Sequence, residues 1–171
     1  YDPNLKPQNT RSYELGADIS FFNNLVSINY TYSRQNVKDQ IFEVPLASST
    51  GSSSFMTNGG KIHTNAHELT VNINPIRLKN VDWNIGINWS KIDNYVDELA
   101  PGVESIFLGG FTTPQVRAGI GDKFPVIYGV SYARDDNGNL IVDEDGVPMA
   151  GKDDVIGKVS PDFILGFNTN L

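Results

Sequence analysis

Cysteine is absent from the 171 residues, which removes disulfide frameworks, thiol catalysis and Cys-based zinc sites together. No run of about 18 apolar residues occurs, so no transmembrane helix is expected. A signal peptide is missing as well. The chain opens on Tyr1-Asp2-Pro3 without a Met, as an internal piece of a longer protein would, so the missing signal carries no information on compartment. Apolar residues are scarce at 39%, short of the ~45–50% usual for soluble domains, although that figure also counts glycine. Positive charge is in deficit too. A net charge of −7 disfavours nucleic acid and anionic membrane surfaces as partners.

That charge is concentrated in one segment. Between Tyr95 and Ser160 eleven acidic residues face five basic ones, a net of −6. Nearly all of the excess therefore belongs to one long stretch outside the regular part of the chain.

The regular part is built from alternation. In Tyr13 to Tyr32, Tyr13, Leu15, Ala17, Ile19 and Phe21 fall on one face, and Glu14, Gly16, Asp18 and Ser20 on the other. This is the period of a strand with one apolar side. After Asn23-Asn24 the phase switches, and Val26, Ile28, Tyr30 and Tyr32 become the apolar set. Asn tolerates positive φ, so the pair makes a two-residue hairpin turn. Folding there sets Phe21 against Val26, Ile19 against Ile28, Ala17 against Tyr30 and Leu15 against Tyr32. Every apolar residue lands opposite another, which is what a single register requires.

Similar patterns recur. The expected strands are 12–22, 25–44, 61–76, 81–95 and 162–171, with long loops at 45–60 and 96–160. Leu69, Val71 and Ile73 alternate with polar neighbours, as do Val81, Trp83, Ile85, Ile87 and Trp89. Both sets sit at odd positions, so the turn between them must hold an odd number of residues; Arg77-Leu78-Lys79 as its tip would satisfy that. Within the second loop, NLIVDEDGVPM has the form of a small hairpin built on Asn137-Gly138 or on Asp145-Gly146.

Short connections thus lie at one end of the sheet and long ones at the other, as in transmembrane β-barrels. About 11 residues at ~3.3 Å, tilted about 45°, rise about 25 Å, the height of the apolar band of such barrels. Phe21, Phe22, Tyr13, Tyr32, Trp83, Trp89 and Phe163 suit its two aromatic girdles. Glu14, Asp18, Asn29, Asn72, Asn84 and Asn88 would face a wet interior. The fold class expected is all-β, an antiparallel transmembrane barrel segment of four to five strands. A soluble all-β sandwich also alternates, but its loops are more equal in length.

Several stretches resemble one family. LKPQNTRSYELGADISFF, YTYSRQNVKDQI, NGGKIHTNAHELTVNINPI, VDWNIGINWS and IGKVSPDFILGFNTNL resemble the late barrel of SusC/RagA-type TonB-dependent outer-membrane transporters. Gln8 stands where that family usually has Glu, and Ala66 where Gly is common. The resemblance implies an outer-membrane location and import of an oligosaccharide or peptide. It also implies a SusD-like surface lipoprotein as partner, TonB as energy source, and further barrel strands of the same transporter. TonB box and plug domain have no counterpart here. The alternative class is a soluble or cell-surface all-β carbohydrate-binding module without transport activity.

No catalytic constellation is expected. Glu14 and Asp18, four residues apart on a strand, lie about 13 Å apart, too far for glycoside hydrolysis. His63 and His67 are spread just as widely, beyond one metal ion's bonds. The acidic run from Asp135 to Asp145 lacks the alternating ligands and terminal Glu of an EF-hand and is taken as turn. No enzyme activity, cofactor, metal or nucleic acid is expected. The remaining candidates are loop aromatics that offer a ring to a sugar face or a peptide side chain. Phe55, Phe107 and Phe111 lie in Gly/Ser-rich stretches with few local packing partners, and Phe42, Phe124, Tyr128 and Tyr132 are weaker candidates.

Overall fold

The structure, a computed structural model, describes residues 2–46 and 48–171. Its strands are β1 (Asn9–Phe21), β2 (Val26–Lys38), β3 (Ile41–Pro45), β4 (Ser54–Asn58), β5 (Gly60–Arg77), β6 (Asp82–Leu99), β7 (Ser105–Gly110), β8 (Gln115–Gly119), β9 (Val126–Tyr132), β10 (Ala150–Lys158) and β11 (Ile164–Asn170). Five of them form one antiparallel sheet in the order β1-β2-β5-β6-β11. β7 to β10 form a second sheet, and β3 pairs with β4 alone.

The phase switch in Tyr13–Tyr32 sets the β1–β2 register. Leu15 faces Tyr32, Ala17 faces Tyr30, Ile19 faces Ile28 and Phe21 faces Val26. Phe22, Asn23 and Asn24 take φ of 53°, 55° and 64°, so the turn rests on three left-handed residues, two of them asparagines that tolerate this region. The Leu25 amide closes it by donating to the Phe22 carbonyl at 3.2 Å.

β5 and β6 meet the odd-parity demand by a different device from the one expected. Leu69 faces Trp89, Val71 faces Ile87 and Ile73 faces Ile85, but beyond them Ile76 faces Trp83. The slip is a bulge at Asn74-Pro75, where a proline without an amide hydrogen costs the ladder nothing. The tip is therefore the even-numbered turn 78–81, closed by the Leu78 amide on the Val81 carbonyl at 2.8 Å. The Asn74 amide donates to the Leu25 carbonyl at 2.8 Å, one residue beyond the Val26–Ile73 pair of β2 and β5.

The strand expected over 25–44 is really two. β2 ends at Lys38 because Asp39 takes φ 55°, and the chain leaves the main sheet to form β3. Asn58 fastens this corner. Its amide donates to the carbonyls of Lys6 (2.7 Å) and Asp39 (2.8 Å), and its oxygen accepts the Lys6 amide at 2.5 Å. The loop set at 45–60 accordingly holds the β3–β4 hairpin. The other bounds shift as well. β1 starts at Asn9 and not 12, β5 runs over Gly60–Arg77 and not 61–76, β6 continues to Leu99 and not 95, and β11 starts at Ile164. At ~3.3 Å per residue, the 18 residues of β5 and of β6 carry both strands well beyond the apolar rows.

The segment expected as a loop over 96–160 is ordered. It turns back so that Phe124, Asp122 and Gly121 bond the backbone of Asn94 and Val96, taking up the upper edge of β6 where β11 stops. Its anchor is a small core of Phe42, Ile62 and Ile106, with Leu99, Val103 and Phe124 packed around it. Ile62 and Val96 are register partners on the face that is polar lower down, so the loop assembly seats on that face at the upper end of the sheet. Residues 133–149 add two successive tight hairpins. Asp135 accepts the amides of Asn137 and Asn139, both at 2.9 Å, and Asp143 accepts those of Asp145 (3.0 Å) and Val147 (2.9 Å). Both turns expected as alternatives are thus used.

Candidate functional site

Register and alternation sort every residue of the main sheet onto one of two faces. On the first, three successive rows cross all five strands. They are Ala17–Tyr30–Leu69–Trp89–Leu165, Ile19–Ile28–Val71–Ile87–Phe167 and Phe21–Val26–Ile73–Ile85–Thr169. Tyr30 and Thr169 are the two hydroxyl residues in these rows, and Thr169 accepts from the Trp83 indole at 2.9 Å. The rows are open to the surroundings, Leu165 being 62% and Phe167 68% exposed. An apolar sheet this wide and uncovered needs hydrocarbon against it. Above it the row Leu15–Tyr32–His67–Lys91 turns polar. There Tyr30 bonds His67 Nδ1 at 2.8 Å, and the rings of Tyr32 and His67 lie 5.0 Å apart.

The opposite face is wet. Asp18, Asn29, Thr70 and Asn88 form one row; Asn29 donates to Asp18, and Thr70 donates to Asn88 at 3.1 Å. One row set higher, Thr64 donates to Asn94 at 2.7 Å. Such rungs satisfy polar groups beside water without forming a packed core.

The candidate rings are not brought to one place. Phe55 lies in β4 opposite Val44 and is half-buried. Phe107 stands on the side of β7 away from the buried Ile106 and is 39% exposed. Phe111 caps the β7–β8 turn, its amide on the Pro114 carbonyl at 3.2 Å, and the residue is 81% exposed. Of the weaker candidates, Phe42 and Phe124 pack against each other with centroids 6.5 Å apart, and Tyr128 lies under the Arg117 guanidinium at 4.5 Å. Tyr132 stays exposed.

Charged groups find separate partners. His63 bonds Asp97 at 2.7 Å and stacks on Tyr95, while His67 bonds Tyr30. Among the described residues no three His, Asp or Glu side chains converge as metal ligands. Lys158 holds the Asp162 carboxyl below its ordinary range, and the hydrogen bond from Lys123 to Asp93 raises the lysine's own pKa. Sequence reasoning missed an eight-residue repeat, Asp135-x-Asn137-Gly138 and Asp143-x-Asp145-Gly146, whose spacing was a readable signal for the paired hairpins.

A five-stranded antiparallel sheet that is apolar on one side, wet on the other and capped at one end by ordered loops is a wall segment of a transmembrane β-barrel. The chain belongs to the TonB-dependent receptor family, whose β-barrel ("TonB dependent receptor-like, beta-barrel") it matches over residues 1–160. Its motifs resemble those of the SusC/RagA type. TonB-dependent receptor P3 of Formosa agariphila is 26% identical over 98% of this chain and 19% of its own length. Receptor P26 of the same organism is 28% identical over 99% of this chain and 19% of its own. The chain thus spans about a fifth of these relatives. Among solved structures, the RagAB peptide importer in its closed-closed state aligns over 98% of this chain and 20% of its own with a TM-score of 0.75 at 17% identity. The RagAB peptide transporter aligns over 94% and 19% with a TM-score of 0.74 at 19% identity. At these identities the likeness is one of fold.

Proposed function

We propose that this chain is part of the late-barrel wall of an outer-membrane active transporter that draws energy through TonB. It imports an oligosaccharide or peptide together with a SusD-like surface lipoprotein. The observation that carries the reading is the pairing of three uncovered apolar rows with a hydrogen-bonded polar face. The first suits lipid and the second a water-filled passage. The names of the RagAB neighbours support a peptide cargo. The loop assembly is the extracellular end, where Phe107 and Phe111 offer rings to cargo. Strands β1 and β11 each present an unpaired edge, which in lipid costs several kcal/mol per unpaired group; they pair with other strands of the same transporter.

Two measurements on the parent protein test this. It should require detergent to stay monodisperse, and uptake of labelled peptides or oligosaccharides by cells should collapse when the proton gradient is discharged. A parent that is monodisperse without detergent would make the chain a soluble binding module instead. Phe111→Ala with Phe107→Ala should reduce uptake without changing the amount of folded barrel. Unchanged uptake would remove those rings from the cargo path.

A further inference from the structure

Net charge hides how the sheet sorts its ions. The inward rows from Glu14–Ser33 to Ser20–Ser27 carry Glu14, Asp18 and Glu68 and no Lys or Arg. On the outward face above the apolar rows, β1 and β2 carry only cations, and the acids there, Asp93, Asp97 and Glu98, lie on β6. Arg11 lies opposite Asn36, with Arg34 and Lys38 as its two diagonal neighbours on the same face, about 7–8 Å away. All three are exposed. Arg34 meets only the neutral oxygens of Asn36 and Asn65, each at 3.4 Å. Among the described residues Arg11 and Lys38 have no carboxylate partner, whereas Lys61 is neutralised by Glu98 at 2.5 Å and Lys91 lies 3.5 Å from Asp93. Three like charges in one triangle repel until an anion sits among them. A groove of about 260 Å³ opens beside Arg34, lined by Arg11, Lys38 and Lys61 with Tyr13 and Asn36, and by one carboxylate, Asp97, which is held by His63.

We propose that this triangle binds the phosphate of an outer-leaflet lipid headgroup. The inference rests on reading the sheet as a barrel wall with its loop end outside. The apolar rows then hold the acyl chains, and Tyr13 and Tyr32 lie at the boundary, where amphipathic rings settle. The next rows up meet the headgroups, and two guanidiniums with one ammonium match a phosphate's oxygens and charge. The net charge of the chain does not oppose this, because β1 and β2 present no carboxylate on that face.

The test uses the parent transporter in phosphatidylcholine nanodiscs with or without lipid A, the phosphorylated lipid being titrated and its retention read by native mass spectrometry. At about a fivefold change per cation near an anionic surface, Arg11→Gln with Arg34→Gln and Lys38→Gln should weaken retention about a hundredfold. Arg77→Gln with Lys79→Gln, at the short-turn end, should leave it unchanged. Heat-modifiable gel migration checks that each variant is folded. Independently of any variant, the wild type should retain lipid A over its dephosphorylated form, and free inorganic phosphate should not displace it. Equal retention of both forms would overturn the proposal, and displacement by free phosphate would make the triangle a soluble-anion site instead. If the short-turn variant alone loses lipid, the proposal fails because the sheet is inverted. Detergent dependence of the parent tests the barrel reading separately.

Discussion

Replacing Ile87 by arginine isolates the lipid-facing assignment. Ile87 stands in the middle of the three apolar rows, between Val71 and Phe167, so its side chain lies near the bilayer midplane. Arginine there costs about 2–4 kcal/mol in an outer-membrane barrel. Asn88 is one residue further along the same strand and points to the other face. It accepts one hydrogen bond from Thr70 at 3.1 Å, so Asn88→Arg should cost about 0.5–1.5 kcal/mol for that bond, with water available to the new charge. Neighbours on both sides are supplied by this chain, so neither comparison depends on another strand. Urea-dependent folding of the parent into lipid vesicles, followed by heat-modifiable migration, gives both values. Equal losses, or the larger loss at Asn88, would refute the face assignment.

Three further outcomes are expected. A tag inserted after Gly138 should be reached by antibody on intact cells while one at Asn24 is silent; the reverse labelling would invert the topology. Gly60→Ala would set a methyl 2.7 Å from a Phe42 ring carbon and 3.1 Å from the Glu98 carbonyl. It should cost about 1–3 kcal/mol and speed proteolysis of the loop assembly, and unchanged cleavage would mean that Phe42 is not held there. The Asn139 side chain and neighbouring amides that bond Asp135 hold its carboxyl below the ordinary range. Its turn is therefore supported at any pH above about 3.9, the unfolded value, and loses that support only as pH falls through the lower folded value. An NMR titration of Asp135 with a midpoint at or above about 3.9 would contradict this.

What was legible in the sequence was whatever local periodicity encodes. The β1–β2 register follows from one phase switch and two asparagines, because a slip by one residue would turn Ile19 and Ile28 to the wet side. The odd parity of β5 and β6 was equally readable. Its solution was not, since a bulge at Asn74-Pro75 and a three-residue tip satisfy the same pattern. The break at Asp39 was hidden because Val37, Ile41 and the residues beyond keep alternating across it; only the backbone turn and the Asn58 clasp, nineteen positions away, divert the chain. The loop assembly was least readable. Phe42, Ile62, Ile106 and Phe124 come from four separated segments, and Ile106-Phe107-Leu108 is apolar on both faces of β7, so alternation carries no signal there. For the same reason the sequence ranked Phe55 with Phe111, although one is half-buried and the other fully offered.

Because this chain has no cysteine, the two faces of β6 can be read one residue at a time. Single cysteines placed in turn at 84 to 90 of β6, in the parent transporter reconstituted in lipid, can be tested with a membrane-impermeant thiol reagent and a lipid-phase quencher. Strict alternation is expected. Positions 85, 87 and 89 should be quenched from the lipid and shielded from the aqueous reagent, and 84, 86, 88 and 90 should react from water. Protection at both sets of positions, as in a two-sided soluble core, or aqueous reaction at both, would contradict it.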